Sequence, residues 1–392
     1  MGFHLCLVCD EYPPCNTGGV GIFSRSLARM LVEAGNKVTV VGIYQPFIRK
    51  VEQIESEDDR GVNVFRLPPS SGTFGNRIKL LHERLRLSAW IKQNETQMGF
   101  DLLEAPEYSG PLVFYNGSLP VIVRIHSSTI LKDAVLKRKP TRLFHLFEKG
   151  CLKKADFVLA VSRYCAEMTM ELSGIRKEYQ VIYNAVDTDF FSPDASLPIE
   201  KNTILCTGTV AKQKGIPYLL DAMKAVLKRF PDARLILIGK DSFRVDGKDF
   251  QRYLSENLQA EVRERIQFRG SLPHGEEFLS SIRRANVCVF PSFVEGFGLS
   301  AVEAMSCGRP VVFSECCSGP EIIEHGKSGL LCDPHTPDDI AEKICMILGD
   351  EAFAERLGFE ARKRVLSLFS MQQWIEQNIM FYSHSLKERH AI

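Results

Sequence analysis

The amino-acid sequence predicts an α/β fold of two doubly wound parallel-sheet domains in tandem, followed by one further helix. Three observations carry this expectation. Short apolar runs of strand length alternate with longer segments of helical period through the first half, and the alternation restarts at Thr203. A polar, proline-bearing stretch from Asn184 to Glu200 separates the two series. The apolar run Val287 to Phe290 then leads through the turn Glu295-Gly296-Phe297-Gly298 into a helix beginning near Leu299, the strand-turn-helix unit that such sheets place at their ligand edge.

The first series gives a strand at 5–8, a helix over 20–34, strands at 38–42 and 62–67, a helix over 75–93, and strands at 101–104, 121–125 and 157–161. The strand segments are rich in Val, Ile and Leu, as expected of strands covered on both faces. The helical segments space their apolar residues three and four apart. The second series runs from a strand at 203–206 through a helix over 217–230 to strands at 234–238, 266–268, 287–290 and 311–313. After about residue 365 a last helix bears Trp374, Ile375, Ile379 and Phe381 with no strand left to follow, so its apolar stripe is expected to cross back onto the first domain. The domains are placed at 1–188 and 189–365, with the returning helix at 366–392.

Composition narrows the class. A chain of 392 residues, 45% hydrophobic and 25% charged, suits two globular domains, and a net charge of +1 argues against nucleic acid as the main partner. There is no run of eighteen apolar residues, and the N-terminus enters strand pattern at Phe3 without a signal peptide's features, so a cytoplasmic location is expected. The twelve cysteines sit mostly singly in apolar runs and read as reduced, buried side chains, not as a zinc or disulfide framework.

Function is most legible between Phe293 and Val312. Gly296 and Gly298 let the backbone turn tightly and approach a ligand, while the first N–H groups of the helix, at Leu299 and Ser300, suit a diphosphate. Glu295 on the loop and Glu303, expected in the first helical turn, flank that ligand; acceptor-only carboxylates suit the hydroxyls of a sugar or ribose. The plainer reading of Glu303 is a favourable charge at a helix N-terminus. Gly18, Gly19 and Gly21 follow the first strand and open a helix, so they either bring N–H groups to a phosphate or sugar or form an ordinary tight turn. Lys214, just past a strand and before Gly215, is placed to bring a cation to a diphosphate. His126 ends a strand at the ligand edge. Asp187 and Asp189 have the spacing of a metal-binding pair, but their place at the junction before Phe190-Phe191 reads as a linker. Between Lys132 and Lys154 lie eight Lys or Arg against two acids, and five more lie between Arg77 and Lys92 with leucines interleaved. Either these helices lie on an anionic surface or they pack on their own sheet with a basic outer face.

On these residues the chain resembles the family 4 glycosyltransferases, retaining enzymes of the two-domain GT-B fold that use activated sugars without a metal. The resemblance spans nearly the whole chain. It rests on Glu295 and Glu303, Pro13 to Gly21, Arg124-Ile125-His126, Val181 to Asp187, Gly208 to Gly215, and Pro320-Glu321-Ile322-Ile323 followed by Gly326 and Gly329. It implies two Rossmann-like domains facing a cleft, the first binding the acceptor and the second the nucleotide-sugar. The family often has arginine where this chain has Thr209, and Lys212 is the substitute cation. The resemblance assigns Glu295, Lys214 and His126 to catalysis, His126 as a positioning group for the sugar. It assigns donor contacts to the turn from Gly296 through Phe297, Gly298 and Leu299 to Ser300, to Glu303 on the ribose, and to Gly18, Gly19, Gly21, Thr209, Lys212, Gly239 and Arg269. The stretch Cys317 to Glu321 departs from the family's paired glycines.

The expected function is thus a retaining, metal-independent hexosyltransferase without a cofactor. It moves a sugar from a nucleotide-diphosphate donor to a hydroxyl of a glycan, lipid-linked or small-molecule acceptor, as in polysaccharide biosynthesis, with possible peripheral contact with anionic membrane. The rival readings are a nucleotide-sugar epimerase of the same fold and a catalytically silent nucleotide-sugar-binding subunit.

Overall fold

The computed structural model of the protein describes residues 2–15, 18–70, 75–245 and 247–390. The chain forms two compact units, Met1–Ile182 with Gln372–Ile392, and Tyr183–Met371. The chain thus passes between units at Ile182 and Tyr183, and again at Met371 and Gln372, where the sequence suggested breaks near 188 and 365.

The first unit is built on eight strands: β1 (His4–Val8), β2 (Lys37–Ile43), β3 (Glu55–Asp59), β4 (Val62–Leu67), β5 (Leu102–Pro106), β6 (Val121–Ile125), β7 (Phe157–Ala160) and β8 (Gln180–Val181). Their spatial order is β3-β4-β2-β1-β5-β6-β7-β8. All neighbours pair in parallel except β3, which lies antiparallel on β4 at the edge. The helices Gly19–Glu33 and Asn76–Met98 and those of the second half of the unit cover the sheet. Every residue of β1 and β6 is buried, which is why these strands read as continuous apolar runs. Chain order reverses at β1, so the carboxyl ends of β1 and β5 bound the switch point where ligands bind in open α/β sheets.

From Gln372 onward the C-terminal helix Met371–His390 belongs to this unit and packs around a buried polar network. Arg124 on β6 donates from Nε to Glu104 Oε1 (2.7 Å), and its Nη2 donates to Asn378 Oδ1 (2.7 Å) and Tyr382 Oη (3.0 Å). Tyr382 in turn donates to Glu104 Oε2 at 2.8 Å. Trp374 meets the Phe23 ring edge-on at 5.4 Å, which places the helix's apolar stripe against the helix Gly19–Glu33.

The second unit has six parallel strands: β9 (Glu200–Thr207), β10 (Arg234–Ile238), β11 (Ile266–Phe268), β12 (Ala285–Phe290), β13 (Val311–Ser314) and β14 (Leu330–Cys332). Their order is β11-β10-β9-β12-β13-β14, so the reversal falls between β9 and β12. All twelve cysteines are free, ten of them buried. Among the described residues no helix is long and apolar enough to cross a membrane.

Candidate active site

The switch point of the second unit carries a pocket. Its floor is formed by Cys206 and Thr207 at the end of β9, Phe290 at the end of β12, and Phe313 on β13. Thr209, Lys214, Ser292, Glu295 and Ser300 supply its polar rim.

Two glycines set this geometry. After β9 the chain makes a single 3-10 turn, Lys212–Lys214, ending at Gly215 with φ +70°. A Cβ at Gly215 would lie 1.8 Å from the carbonyl oxygen of Pro291, so only glycine lets this turn press against the end of β12. That contact brings Lys214 over the loop that carries Glu295, and the ammonium donates to Glu295 Oε2. Burial disfavours the Lys214 ammonium, but the charge and hydrogen bond of Glu295 outweigh it and raise the lysine above its ordinary pKa. Gly298, with φ +97°, precedes the helix Leu299–Ser306, and a Cβ there would sit 2.5 Å from the Phe313 ring. Among the described residues no side chain caps this helix, so its first N–H groups are left to a ligand or to water.

Glu303 lies in the second turn of that helix, not the first as its sequence position suggested, and it is buried. Among the described residues no group donates to its carboxylate, and burial alone pushes its pKa up to about 7. It does not line the pocket itself but sits one helical turn beyond Ser300. The remaining assignments divide. Thr209 lines the pocket, whereas Lys212 is exposed on the 3-10 turn outside it. Gly239 follows β10 outside the pocket lining, and a Cβ there would meet the Gly208 carbonyl oxygen at 1.7 Å. Arg269 is exposed and donates to Ser281 (3.3 Å) and Gln267 (3.2 Å). Gly296 is buried in the turn, and Phe297 packs against Phe369 at 5.5 Å. Leu299 opens the helix. Asp187 Oδ1 accepts the N–H groups of Asp189 and Phe190 at 3.1 and 3.0 Å, which makes this pair a turn. The departure at Cys317 to Glu321 forms a short helix, Gly319–Ile322, in which a Cβ at Gly319 would meet the Ser314 carbonyl at 1.9 Å.

The first unit gathers a second set of groups at its own switch point. His126 follows β6, its ring against Phe23 at 4.7 Å and its N–H donating to Glu107 at 2.9 Å. Burial first, then the charges of Arg124 and Lys132, bring the imidazole down to about 3, so it is neutral at physiological pH. Glu107, fully buried after β5, also accepts from Ser127 at 2.7 Å, and burial raises its carboxyl to about 7. Gly19 and Gly21 lie inside the helix Gly19–Glu33, with Gly18 at its N-cap. The N–H groups of Gly18 and Gly21 donate to the Glu11 carboxylate at 3.0 and 2.9 Å, so this helix end is answered by the chain's own anion, where the sequence left open a phosphate or sugar contact or an ordinary tight turn. Asn16 and Thr17 of the same loop lie outside the described residues. Neither Glu107 nor Glu11 stood out in the sequence; position at a strand's carboxyl end was their one available signal.

Residues 187–364 match the family profile described as glycosyl transferases group 1, and residues 17–190 match that of glycosyltransferase family 4. The chain is 27% identical to an uncharacterised glycosyltransferase of Methanocaldococcus jannaschii, with 98% of each chain covered. It is 24% identical to the N-acetyl-alpha-D-glucosaminyl L-malate synthase of Bacillus anthracis, over 99% of this chain and 98% of that one. Among solved structures, sucrose-phosphate synthase from Thermosynechococcus elongatus superposes with a TM-score of 0.81 at 26% identity, covering 97% of this chain and 98% of that one. Two tandem doubly wound sheets, a phosphate-suited pocket at the second switch point and profiles that together take in residues 17–364 converge: the chain belongs to the family 4 glycosyltransferases of the GT-B fold.

Proposed function

We propose that the protein is a retaining, metal-independent hexosyltransferase that takes its sugar from a nucleotide-diphosphate donor held by the second unit. The observation that carries this reading is the Lys214–Glu295 pair at the rim of the pocket, beside the uncapped N-terminus of Leu299–Ser306. In the unliganded protein the two groups neutralise one another. A diphosphate is the stronger partner for Lys214, so its arrival releases Glu295 to accept hydrogen bonds from sugar hydroxyls, while the helix N–H groups take the remaining phosphate charge. Glu303 then receives the ribose hydroxyls, donors that its buried carboxylate lacks in the protein alone.

In the transfer step the bond from the anomeric carbon to the diphosphate oxygen breaks and a bond to the acceptor oxygen forms. The acceptor proton leaves with the departing phosphate. Lys214 stabilises the negative charge of that leaving group. Among the described residues Glu295 is the only carboxylate lining the pocket, and its pairing to Lys214 suits holding the sugar, not attacking it, which favours front-face transfer without a covalent intermediate. His126, neutral and fixed through Glu107, is assigned to positioning the reacting centre. The remaining donor roles stay with the turn 296–300, Gly239 and Thr209. An assay of nucleoside-diphosphate release from a panel of nucleotide-sugars, with the anomeric product followed by NMR, tests the reading. The expected product keeps the donor's anomeric configuration, and turnover is unchanged by EDTA; an inverted product or activity restored only by magnesium or manganese contradicts it.

The first unit is assigned to the acceptor. The L-malate in the name of the Bacillus anthracis relative supports a small hydroxyl-bearing acceptor, whereas the surface of the helix Asn76–Met98 favours a membrane-borne one. There Ile78, Leu81 and Leu85 are exposed on one stripe flanked by Arg77, His82 and Lys92, while Glu83 and Arg84 are buried. The proposal is a cytoplasmic enzyme docking peripherally on anionic lipid, each nearby basic residue contributing about 1 kcal/mol. Co-flotation with phosphatidylserine vesicles at low salt, weakened at high salt and in Leu81→Glu/Leu85→Glu, is the expected result. No flotation at low salt would assign the stripe to ordinary surface and the acceptor to solution.

A further inference from the structure

A second cluster, in the second unit, is not used by the transfer reaction. Parallel pairing of β13 with β14 sets Ser314 opposite Cys332, and the N–H of Glu315 donates to the Cys332 carbonyl at 2.9 Å. The residues that leave the two strand ends are therefore brought side by side: Cys316 from one, Asp333 and His335 from the other. One ligand atom from each of the three, thiol, carboxylate and imidazole, lies within 4.8 Å of the others.

Two of these side chains are already held. Asp333 accepts from the backbone N–H of His335 at 2.9 Å and from Thr336 Oγ1 at 2.7 Å, and lies 3.1 Å from the His335 ring Nδ1; these contacts keep its carboxyl below the usual range and so ionised. The His335 ring packs on Phe293 at 4.8 Å and lies 6.4 Å from Tyr218, so its orientation is fixed by aromatic neighbours. Cys316 is exposed, the one cysteine of the twelve that is, and its N–H donates to Ser314 Oγ at 3.2 Å. The neighbouring Cys317 points the other way, buried, with its thiol toward the Ser314 carbonyl.

We propose that Cys316, Asp333 and His335 bind a thiophilic divalent transition ion of the zinc class, with the fourth position open to water. In a tetrahedral zinc site, ligand atoms of these three kinds stand roughly 3.3 to 3.6 Å apart, so the observed cluster needs to contract by little more than an ångström, within reach of side chains on exposed loops. Sulfur and imidazole select zinc, cobalt or copper over magnesium and calcium. The carboxylates of Asp333 and of the adjacent Glu315 place negative charge at the thiol, a field that a cation relieves. The ion would tie the β13 and β14 loops together. It would not touch the reacting atoms. The inference does not depend on the sugar-transfer reading.

Cobalt(II) is the probe. Added to the chelator-stripped full chain, it is expected to give a saturable thiolate-to-cobalt charge-transfer band in the near ultraviolet at one equivalent, displaced by zinc. The band should vanish in Cys316→Ser and persist in Cys317→Ser. In His335→Ala, cobalt affinity should fall at least tenfold. Absence of a band at saturating cobalt, a band surviving Cys316→Ser or lost only in Cys317→Ser, or unchanged affinity in His335→Ala overturns the assignment. Because the readout is spectroscopic, loss of glycosyl transfer is a separate result.

Discussion

Burial without a donor leaves the Glu303 carboxyl titrating near neutrality, and ribose hydroxyls are the kind of partner that would favour its ionised form. The sign follows directly. A carboxyl whose folded-state pKa of about 7 lies above its ordinary 4.5 adds stability that is complete below 4.5 and is lost as pH rises through 7. Donor binding runs the other way, because hydroxyls bind the carboxylate. Between pH 6 and pH 8 affinity for a nucleotide-sugar should rise about tenfold, the change in ionised fraction across a pKa near 7. Titration calorimetry at both values measures it, and Glu303→Gln should bind weakly with no pH dependence; a pH-independent wild type would place the ribose elsewhere. Burial affects His126 in the opposite sense, its neutral form costing stability as pH falls below 6.5 toward 3. The placement of Glu295 and Lys214 at the pocket was legible because each sits on a strand-to-glycine-turn segment that is local in sequence. Glu11 and Glu107 were not, because each acts on backbone N–H groups seven to twenty residues away that only the fold brings near.

At the level of elements, the long buried strands read clearly and the short or charged ones did not. Strands at 121–125 and 234–238 fall where their apolar runs put them. The edge strand β3, Glu-Ser-Glu-Asp-Asp, carries no apolar residue and reads as a loop; charge on an edge strand blocks pairing with another chain, which serves solubility at the expense of legibility. The two- and three-residue strands β8 and β14 are too short for any period to show. The last helix was visible as an apolar stripe, but its anchor was not: Asn378 and Tyr382 reach Arg124 across more than 250 residues of sequence. Arg124→Met should leave the buried Glu104 carboxylate without its counter-charge and cost about 3 to 5 kcal/mol. The double change Arg124→Met with Glu104→Leu should recover most of that loss. Chemical denaturation measures both, and a single-mutant loss under 1 kcal/mol would mean that the network does not hold the helix.

For the whole molecule, the restart of the strand-helix pattern at Thr203 made two tandem sheets legible, because each doubly wound unit needs its own series of buried strands. The crossing points were harder to read, since the chain changes unit at Ile182 inside a stretch that continues the pattern of the first sheet. The division of labour proposed between the units rests on the pocket of the second holding the donor diphosphate through Lys214. Calorimetric titration of the full chain with a panel of nucleotide-sugars, repeated on Lys214→Ala, tests that claim most directly. At least one donor should bind the wild type and lose tenfold or more in affinity in the variant, a charged hydrogen bond being worth about 1.5 to 3 kcal/mol; a donor that binds both proteins equally, or no binding by any nucleotide-sugar, would contradict it.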